Sequence, residues 1–226
     1  MNLAGMIFDL DGVLCFTDKY HYQAWKKLAD RLGIYFDEKI NGRLRGVSRM
    51  QSLEIILERS DRRYTEEEKA AFAAEKNAVY RELLAEMTPA DVPEEVRKTL
   101  EELKECGWRL AVGSSSKNAP LILEKTDLAG YFDAVSDGNN IVRSKPDPEV
   151  FLKAAEFLGL QPEECLVVED ALAGIEAGIA GGFKTAAIGD ATRYKRADIQ
   201  LTSFSDLLEF AEKQAGQTGE NDGSGV

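Results

Sequence analysis

Met6-Ile7-Phe8-Asp9-Leu10-Asp11-Gly12 decides the reading of the fold, because a short apolar run passes directly into a pair of carboxylates. The apolar part suits a strand buried on both faces, as in a parallel sheet. In an extended backbone, residues two apart point to the same side. The alternation therefore predicts that Asp9 and Asp11 project together into the crevice at the carboxyl end of the sheet, where open α/β folds bind ligands. Two like charges so close are costly unless a cation lies between them. The pair reads as a magnesium site in which one carboxylate can also act as a nucleophile.

Outward from this strand, residues 18–88 carry helical periodicity without strand signals. From about residue 92, helical segments alternate with the short runs Arg109 to Gly113, Tyr131 to Val135, Cys165 to Val168 and Phe183 to Ile188. Such alternation predicts an α/β fold with a doubly wound, Rossmann-like parallel sheet. The helical stretch is then an insertion after the first strand. The chain is expected to leave the core near Thr17 and to return where Pro89 and Pro93 interrupt the helix. The expected division is a core of residues 1–17 and 89–215, a helical cap domain of residues 18–88, and a tail of residues 216–226. That tail, rich in Gly with Ser, Asn, Asp and Glu, is too poor in apolar surface to fold and is expected to be disordered.

The 226 residues are 44% hydrophobic, enough for a sizeable core in one or two domains. A net charge of −12 repels nucleic-acid backbone and anionic membrane, so neither is expected as a partner. The opening MNLAGMIFDLDG has no basic leader pattern, and no apolar stretch is long enough to span a bilayer, so a cytoplasmic location is expected. Cys15, Cys106 and Cys165 have no CxxC spacing and read as reduced, mostly packed thiols.

One histidine, His21, excludes a multi-histidine metal centre, and no GxSxG elbow accompanies it. Carboxylates must then supply both nucleophile and proton transfer, and Asp9 and Asp11 offer one for each. The plain alternative is a solvated turn at a strand end. A second acidic pair, Glu169-Asp170, follows the apolar run Leu166-Val167-Val168, and hard oxygen ligands from two strand ends suit Mg²⁺. Ser114-Ser115-Ser116-Lys117-Asn118 follows another strand and leads to a helix start with Pro120 in its first turn. Free N–H groups there can bind phosphate, although a serine cap alone would explain part of the pattern. Lys145 precedes Pro146-Asp147-Pro148, where Asp147 can cap a helix and Pro148 can open it. A cation beside a helix N-terminus requires a compensating anion or carboxylate.

Within the inserted stretch, His21, Trp25, Leu28 and Leu32 fall on one helical face, as do Phe72, Lys76, Val79 and Leu83. A lysine in register with apolar residues is out of place unless that end of the face meets a polar cleft, so Lys76 is a candidate anion contact. Trp25 reads as core or as ligand wall, and His21 as a satisfied histidine or a pocket group. In Leu44-Arg45-Gly46-Val47-Ser48-Arg49, Ser48 is the expected N-cap and Arg49 the first-turn residue. An arginine there is disfavoured by the dipole unless a phosphate makes it an anchor. Ser52, one turn on, adds a hydroxyl.

These motifs together resemble the haloacid-dehalogenase superfamily of phosphoryl-transfer enzymes, in the branch with a helical cap after the first strand. The similarity runs over about residues 5 to 213 and includes Asp9-Leu10-Asp11-Gly12-Val13, Thr17, His21, Trp25, Gly46-Val47-Ser48-Arg49, Ser52-Leu53, Lys76, Ser114 with Ser116-Lys117-Asn118, Lys145-Pro146 and Glu169-Asp170. The resemblance implies that Asp9 becomes phosphorylated and Asp11 is general acid and base, with Thr17, Ser114 and Lys145 also in the catalytic set. It implies a Mg²⁺ site made by Asp9, the backbone carbonyl of Asp11, Glu169 and Asp170. Arg49 would grip a second, non-reacting phosphate. His21, Trp25, Gly46, Val47, Ser48, Ser52 and Lys76 would line the sugar side, completed by Ser115, Ser116, Lys117 and Asn118.

The implied activity is that of an intramolecular phosphotransferase acting as a monomer on a small sugar phosphate and a sugar bisphosphate. It would interconvert β-D-glucose 1-phosphate and D-glucose 6-phosphate through β-D-glucose 1,6-bisphosphate. Phe16, Ala171 and Pro93-Glu94 depart from the branch's common Asp, Ser or Thr, and Pro-Gly at those places. A sugar-phosphate phosphatase of the same superfamily is the nearest alternative. A non-enzymatic receiver-like phospho-acceptor is the alternative of another class, although receivers lack the inserted helical stretch.

Overall fold

The computed structural model describes residues 3–45 and 47–219. Six strands form one parallel sheet: β1 (Gly5–Phe8), β2 (Arg109–Gly113), β3 (Ala134–Ser136), β4 (Cys165–Glu169), β5 (Lys184–Ala187) and β6 (Ile199–Gln200), in the spatial order β3-β2-β1-β4-β5-β6. β1 is central, with Phe8 opposite Val112 on one side and Val168 on the other. The order reverses at β1, so ligand-binding groups of an open sheet are expected beyond its carboxyl end.

The continuous apolar character of these strands follows from burial on both faces. Met6 and Phe8 of β1, with Leu110, Val112, Leu166 and Val168, face one side. There α5 (Glu94–Glu105), α6 (Ala119–Lys125) and α9 (Asp206–Gly219) cover them. Ile7, Ala111 and Val167 face the other side against α7 (Glu149–Leu158) and α8 (Leu172–Ala180). Each large aliphatic or phenyl group so enclosed contributes about 1.5–3 kcal/mol by leaving water.

Between β1 and β2 the chain runs through α1 (Asp18–Leu32), α2 (Glu38–Gly42), α3 (Arg49–Leu57) and α4 (Glu66–Ala85). Trp25, Leu28, Ile34, Phe36, Ile40, Leu53 and Ile56 form a separate apolar cluster within this helical block. Ala24 of α1 and Tyr80 and Leu84 of α4 instead pack with the sheet-side cluster. Capping boxes, Ser48 with Gln51 and Thr65 with Glu68, start α3 and α4.

Four sequence expectations need correction. Tyr131 lies in a 3₁₀ turn, and β3 begins only at Ala134. α7 begins at Glu149, so Pro148 stands just outside it, while Asp147 accepts a bond from the Glu149 amide. The buried face of α4 is Ala73, Lys76, Tyr80 and Leu84. Phe72, Val79 and Leu83 flank it, because a 3-4-4 spacing follows the 3.6-residue turn as well as 4-3-4 does. Finally, α9 continues to Gly219, three residues beyond the predicted start of the tail at Gly216. Its buried Leu207 and Ala211 nucleate a helix that propagates past its last core contact. Residues 220–226 lie outside the described residues. Cys15 and Cys165 are buried and Cys106 is exposed, all three as free thiols. Among the described residues, no helix is long and apolar enough to cross a membrane.

Candidate active site

Between the carboxyl end of the sheet and the helical block lies a cavity of about 1190 Å³. Of the sequence-predicted residues, Asp9, Asp11, His21, Trp25, Val47, Ser48, Arg49, Ser52, Lys76, Ser114, Ser115, Ser116, Lys117, Asn118 and Lys145 line it. Thr17, Glu169 and Asp170 are buried just behind this wall. Gly46 lies outside the described residues.

Asp9 follows β1 directly, and its amide donates to the Val168 carbonyl at 3.0 Å, which extends the pairing of β1 with β4 by one residue. Asp11 arrives differently. β1 ends at Phe8, and Asp11 stands in a turn bridged to Cys15. Its carboxylate accepts the Thr17 hydroxyl rather than joining the acids around Asp9. Strand alternation therefore does not place the two aspartates. Gly12 takes φ +99°, and a Cβ on it would lie 2.2 Å from Asp170 Oδ2. The turn thus brings backbone against an acid where no side chain fits.

Enclosure, with the neighbouring Asp9 charge adding to it, pushes Asp11 up to about 7, while the Thr17 bond opposes this. A carboxyl titrating there can both donate and accept a proton near neutrality.

The acidic cluster consists of Asp9, Glu169 and Asp170, whose oxygens lie within 4.8 Å of one another. Lys145 Nζ, fully buried, donates to Asp9 Oδ1 at 2.5 Å and to Glu169 Oε1 at 2.6 Å. The lysine beside a helix start is thus compensated by carboxylates. Burial disfavours its charge, but Asp9 and Glu169 outweigh that and hold its pKa above the ordinary lysine value. Burial lifts Glu169 to about 7 against the pull of Lys145, and burial with the Glu169 charge lifts Asp170 to about 9. With all three acids ionised, one ammonium leaves a charge deficit that a divalent cation matches. Hard, buried oxygen donors are what Mg²⁺ takes. Gly174 of α8 makes room for this cluster, since a Cβ there would lie 1.8 Å from Glu169 Oε1. The side-chain donor set therefore fits Mg²⁺ at Asp9, Glu169 and Asp170, without the Asp11 carboxylate.

Ser114 follows β2 directly, and its hydroxyl accepts from the Ser116 amide at 3.2 Å. The Ser115 hydroxyl is buried on the cavity wall without a partner among the described residues. Asn118, on the cavity wall, also reaches α4. Its amide nitrogen donates to Asn77 Oδ1 at 2.9 Å and its oxygen accepts from Arg81 at 3.3 Å, both on α4.

On the opposite wall, Lys76 is 2% exposed and sits over the rings of Trp25, at 4.8 Å, and Tyr80, at 4.2 Å. Burial and the Arg49 charge bring its pKa down to about 7. Burial and the same two cations hold His21 well below the ordinary histidine value, so it is neutral. Arg49, half-buried, has no carboxylate within ion-pairing reach among the described residues.

Sequence reading missed Tyr80 and Arg45, which also line the cavity. The i+4 spacing from Lys76 was the available signal for Tyr80. None existed for Arg45, whose partners Asp18 and Asp190 are remote in the chain.

A family model for haloacid dehalogenase-like hydrolases matches residues 3–182. The chain is 38% identical to a β-phosphoglucomutase of Bacillus subtilis over 94% of its own length and 95% of that protein. It is 32% identical to a phosphorylated carbohydrates phosphatase of Thermotoga maritima, over 80% of this chain and 83% of that protein. A crystal structure of β-phosphoglucomutase from Clostridium difficile superposes with a TM-score of 0.88 at 36% identity, covering 96% of this chain and 98% of that one. With a parallel sheet whose central strand leads into Asp9, and with acids from β1 and β4 meeting at one cavity, the chain belongs to the haloacid dehalogenase-like hydrolase family.

Proposed function

We propose that the protein is an intramolecular phosphotransferase that interconverts β-D-glucose 1-phosphate and D-glucose 6-phosphate through an aspartyl-phosphate on Asp9. One observation carries this reading beyond a phosphatase. Arg49 and Lys76 stand on the wall of the cavity that holds Asp9, with no ion-paired carboxylate among the described residues. Unpaired, desolvated cations are costly, and a second phosphate on the substrate would compensate them. The Bacillus subtilis relative, a β-phosphoglucomutase, supports the same choice.

In this cycle, phosphorylated Asp9 donates its phosphoryl group to the C6 hydroxyl of β-glucose 1-phosphate while Asp11 takes the hydroxyl proton. The bisphosphate turns round. Asp9 then attacks the C1 phosphorus, Asp11 returns the proton to the C1 oxygen, and glucose 6-phosphate leaves. Ser114 and Lys145 bind the transferring group, a task of positioning and charge neutralisation. Mg²⁺, when bound, neutralises phosphoryl and carboxylate oxygens, and Asp9, the Asp11 main-chain carbonyl, Glu169 and Asp170 would hold it. We assign the helical block, residues 18–88, as a cap that excludes water from the phosphorylated aspartate. Arg49 anchors the idle phosphate, and Thr17 holds Asp11. His21, Trp25, Val47, Ser48, Ser52, Lys76 and the Ser115-Ser116-Lys117-Asn118 turn enclose the sugar, with Gly46 assigned by resemblance. We place the protein in the cytoplasm as a monomer acting on small sugar phosphates, with neither nucleic acid nor membrane as partner.

The test supplies Mg²⁺, a trace of β-glucose 1,6-bisphosphate and either anomer of glucose 1-phosphate, and follows glucose 6-phosphate and free phosphate together. Bisphosphate-primed glucose 6-phosphate from the β anomer is expected. Stoichiometric free phosphate without glucose 6-phosphate makes the protein a phosphatase. Phosphorylation of Asp9 without turnover makes it a phospho-acceptor module.

A further inference from the structure

Arg45 leaves the turn after α2 and reaches across to the sheet-bearing core. Its Nη1 donates to Asp190 Oδ2 at 2.7 Å, and its Nη2 donates to Asp18 at the start of α1. Asp190 lies in the 3₁₀ segment Gly189–Tyr194 that follows β5, 145 residues away along the chain. Among the described residues the buried guanidinium Nε has no partner, and the Nη groups hold the head in place. Among the described residues, this is the only hydrogen bond or ion pair joining residues 38–57 to the core. Those residues carry Val47, Ser48, Arg49 and Ser52, all on the cavity wall.

We propose that Asp190 is a positioning residue: through Arg45 it seats the loop that carries Arg49 over the phosphoryl-transfer centre. The inference rests on the reading of Arg49 as a phosphate anchor. An isolated exposed ion pair contributes little. Here one guanidinium bridges two carboxylates, one on the helical block and one on the core, and so fixes a relative position. Released from Asp190, residues 47–49 sample positions from which Arg49 does not meet the idle phosphate, and the bound population falls. The same release opens a path for water to phosphorylated Asp9. Asp190 touches no reacting group. Its second oxygen accepts from Arg193 on its own turn, which provides an internal control.

The experiment compares the full-length protein with Asp190→Asn, Asp190→Glu and Arg193→Ala, each saturated with Mg²⁺. It measures kcat and KM for the sugar phosphate and the lifetime of the aspartyl-phosphate without sugar. Asp190→Asn is expected to raise KM about three- to tenfold, the range of one partly exposed charge pair, with kcat within about twofold and an unchanged melting temperature. It also shortens the phosphoenzyme lifetime. Asp190→Glu restores most of the loss, and Arg193→Ala matches the parent. High salt screens the pair and raises the parent's KM more than that of Asp190→Asn.

An Asp190→Asn variant with the parent's KM and phosphoenzyme lifetime overturns the proposal. So does an equal defect in Arg193→Ala, which would mark a disturbed turn. Release of phosphate without isomerised sugar by the parent overturns the mutase reading alone. The KM comparison, made on phosphate release, still decides the role of Asp190.

Discussion

The Lys76 ammonium donates to Nδ1 of His21 across 3.1 Å, so a buried cation leans on a neutral ring rather than on an acid. With its pKa lowered to about 7, Lys76 binds fewer protons in the folded chain than in the unfolded one between pH 7 and the ordinary lysine value of 10.5. Stability contributed by this site therefore rises with pH through that window. Lys76→Met should remove this slope and raise the melting temperature below pH 7. Bisphosphate binding, which restores the charge, should take up a proton above pH 7, as calorimetry in buffers of different ionisation enthalpy will show. Proton uptake that persists in Lys76→Met would exclude Lys76 as its source.

The acids behave oppositely. Glu169 and Asp170, raised to about 7 and about 9, are protonated in the folded chain at pH values where the unfolded carboxylates are charged. Without Mg²⁺, their contribution to stability falls as pH rises from about 4 towards 9. Mg²⁺ should remove that fall by favouring the charged forms. Melting curves at pH 5 and pH 8, with Mg²⁺ and with chelator, are expected to show a large Mg²⁺ effect only at pH 8. In Asp170→Asn, both that effect and turnover should disappear.

Thr17→Val removes the hydroxyl that Asp11 accepts while keeping a branched side chain in a fully buried site. The expected result is a loss in kcat of about ten- to a hundredfold with little change in KM, short of the loss of the acid itself. Its pH–rate profile should shift, since the bond lowers the Asp11 pKa. An unchanged kcat and profile would show that Thr17 serves only packing.

Arg49→Ala should leave phosphorylation of Asp9 by a small donor such as acetyl phosphate within about twofold of the parent. Turnover of the sugar phosphate should fall about a hundredfold or more, because the idle phosphate loses a charge-assisted anchor in a desolvated site. Rapid-quench measurement of the phosphoenzyme separates the two steps. Equal losses in both would move Arg49 from the sugar side to the reacting phosphate.

Local sequence carried the frame of this molecule. The β1 run, the strand–helix alternation from β2 onward and the helical insertion each declare themselves through periodicity within a few residues of one another. The N-cap at Ser48 was equally legible, because a cap acts within one turn of the helix it starts. The short β6, Ile199–Gln200, was not, since two residues carry no period.

The chain alone determined which chemical groups are available: acids at two strand ends, a serine-rich turn after a third, a single histidine, and basic residues on the inserted helices. Tertiary structure alone decided their partners. Lys145 meets Asp9 and Glu169 from 136 and 24 residues away, Asn118 on the cavity wall pairs with Asn77 of α4, and Arg45 finds Asp190. The physical reason is range. Backbone propensity acts over a turn or a strand, whereas side-chain pairing depends on how packed layers place distant segments, and no local pattern encodes that register.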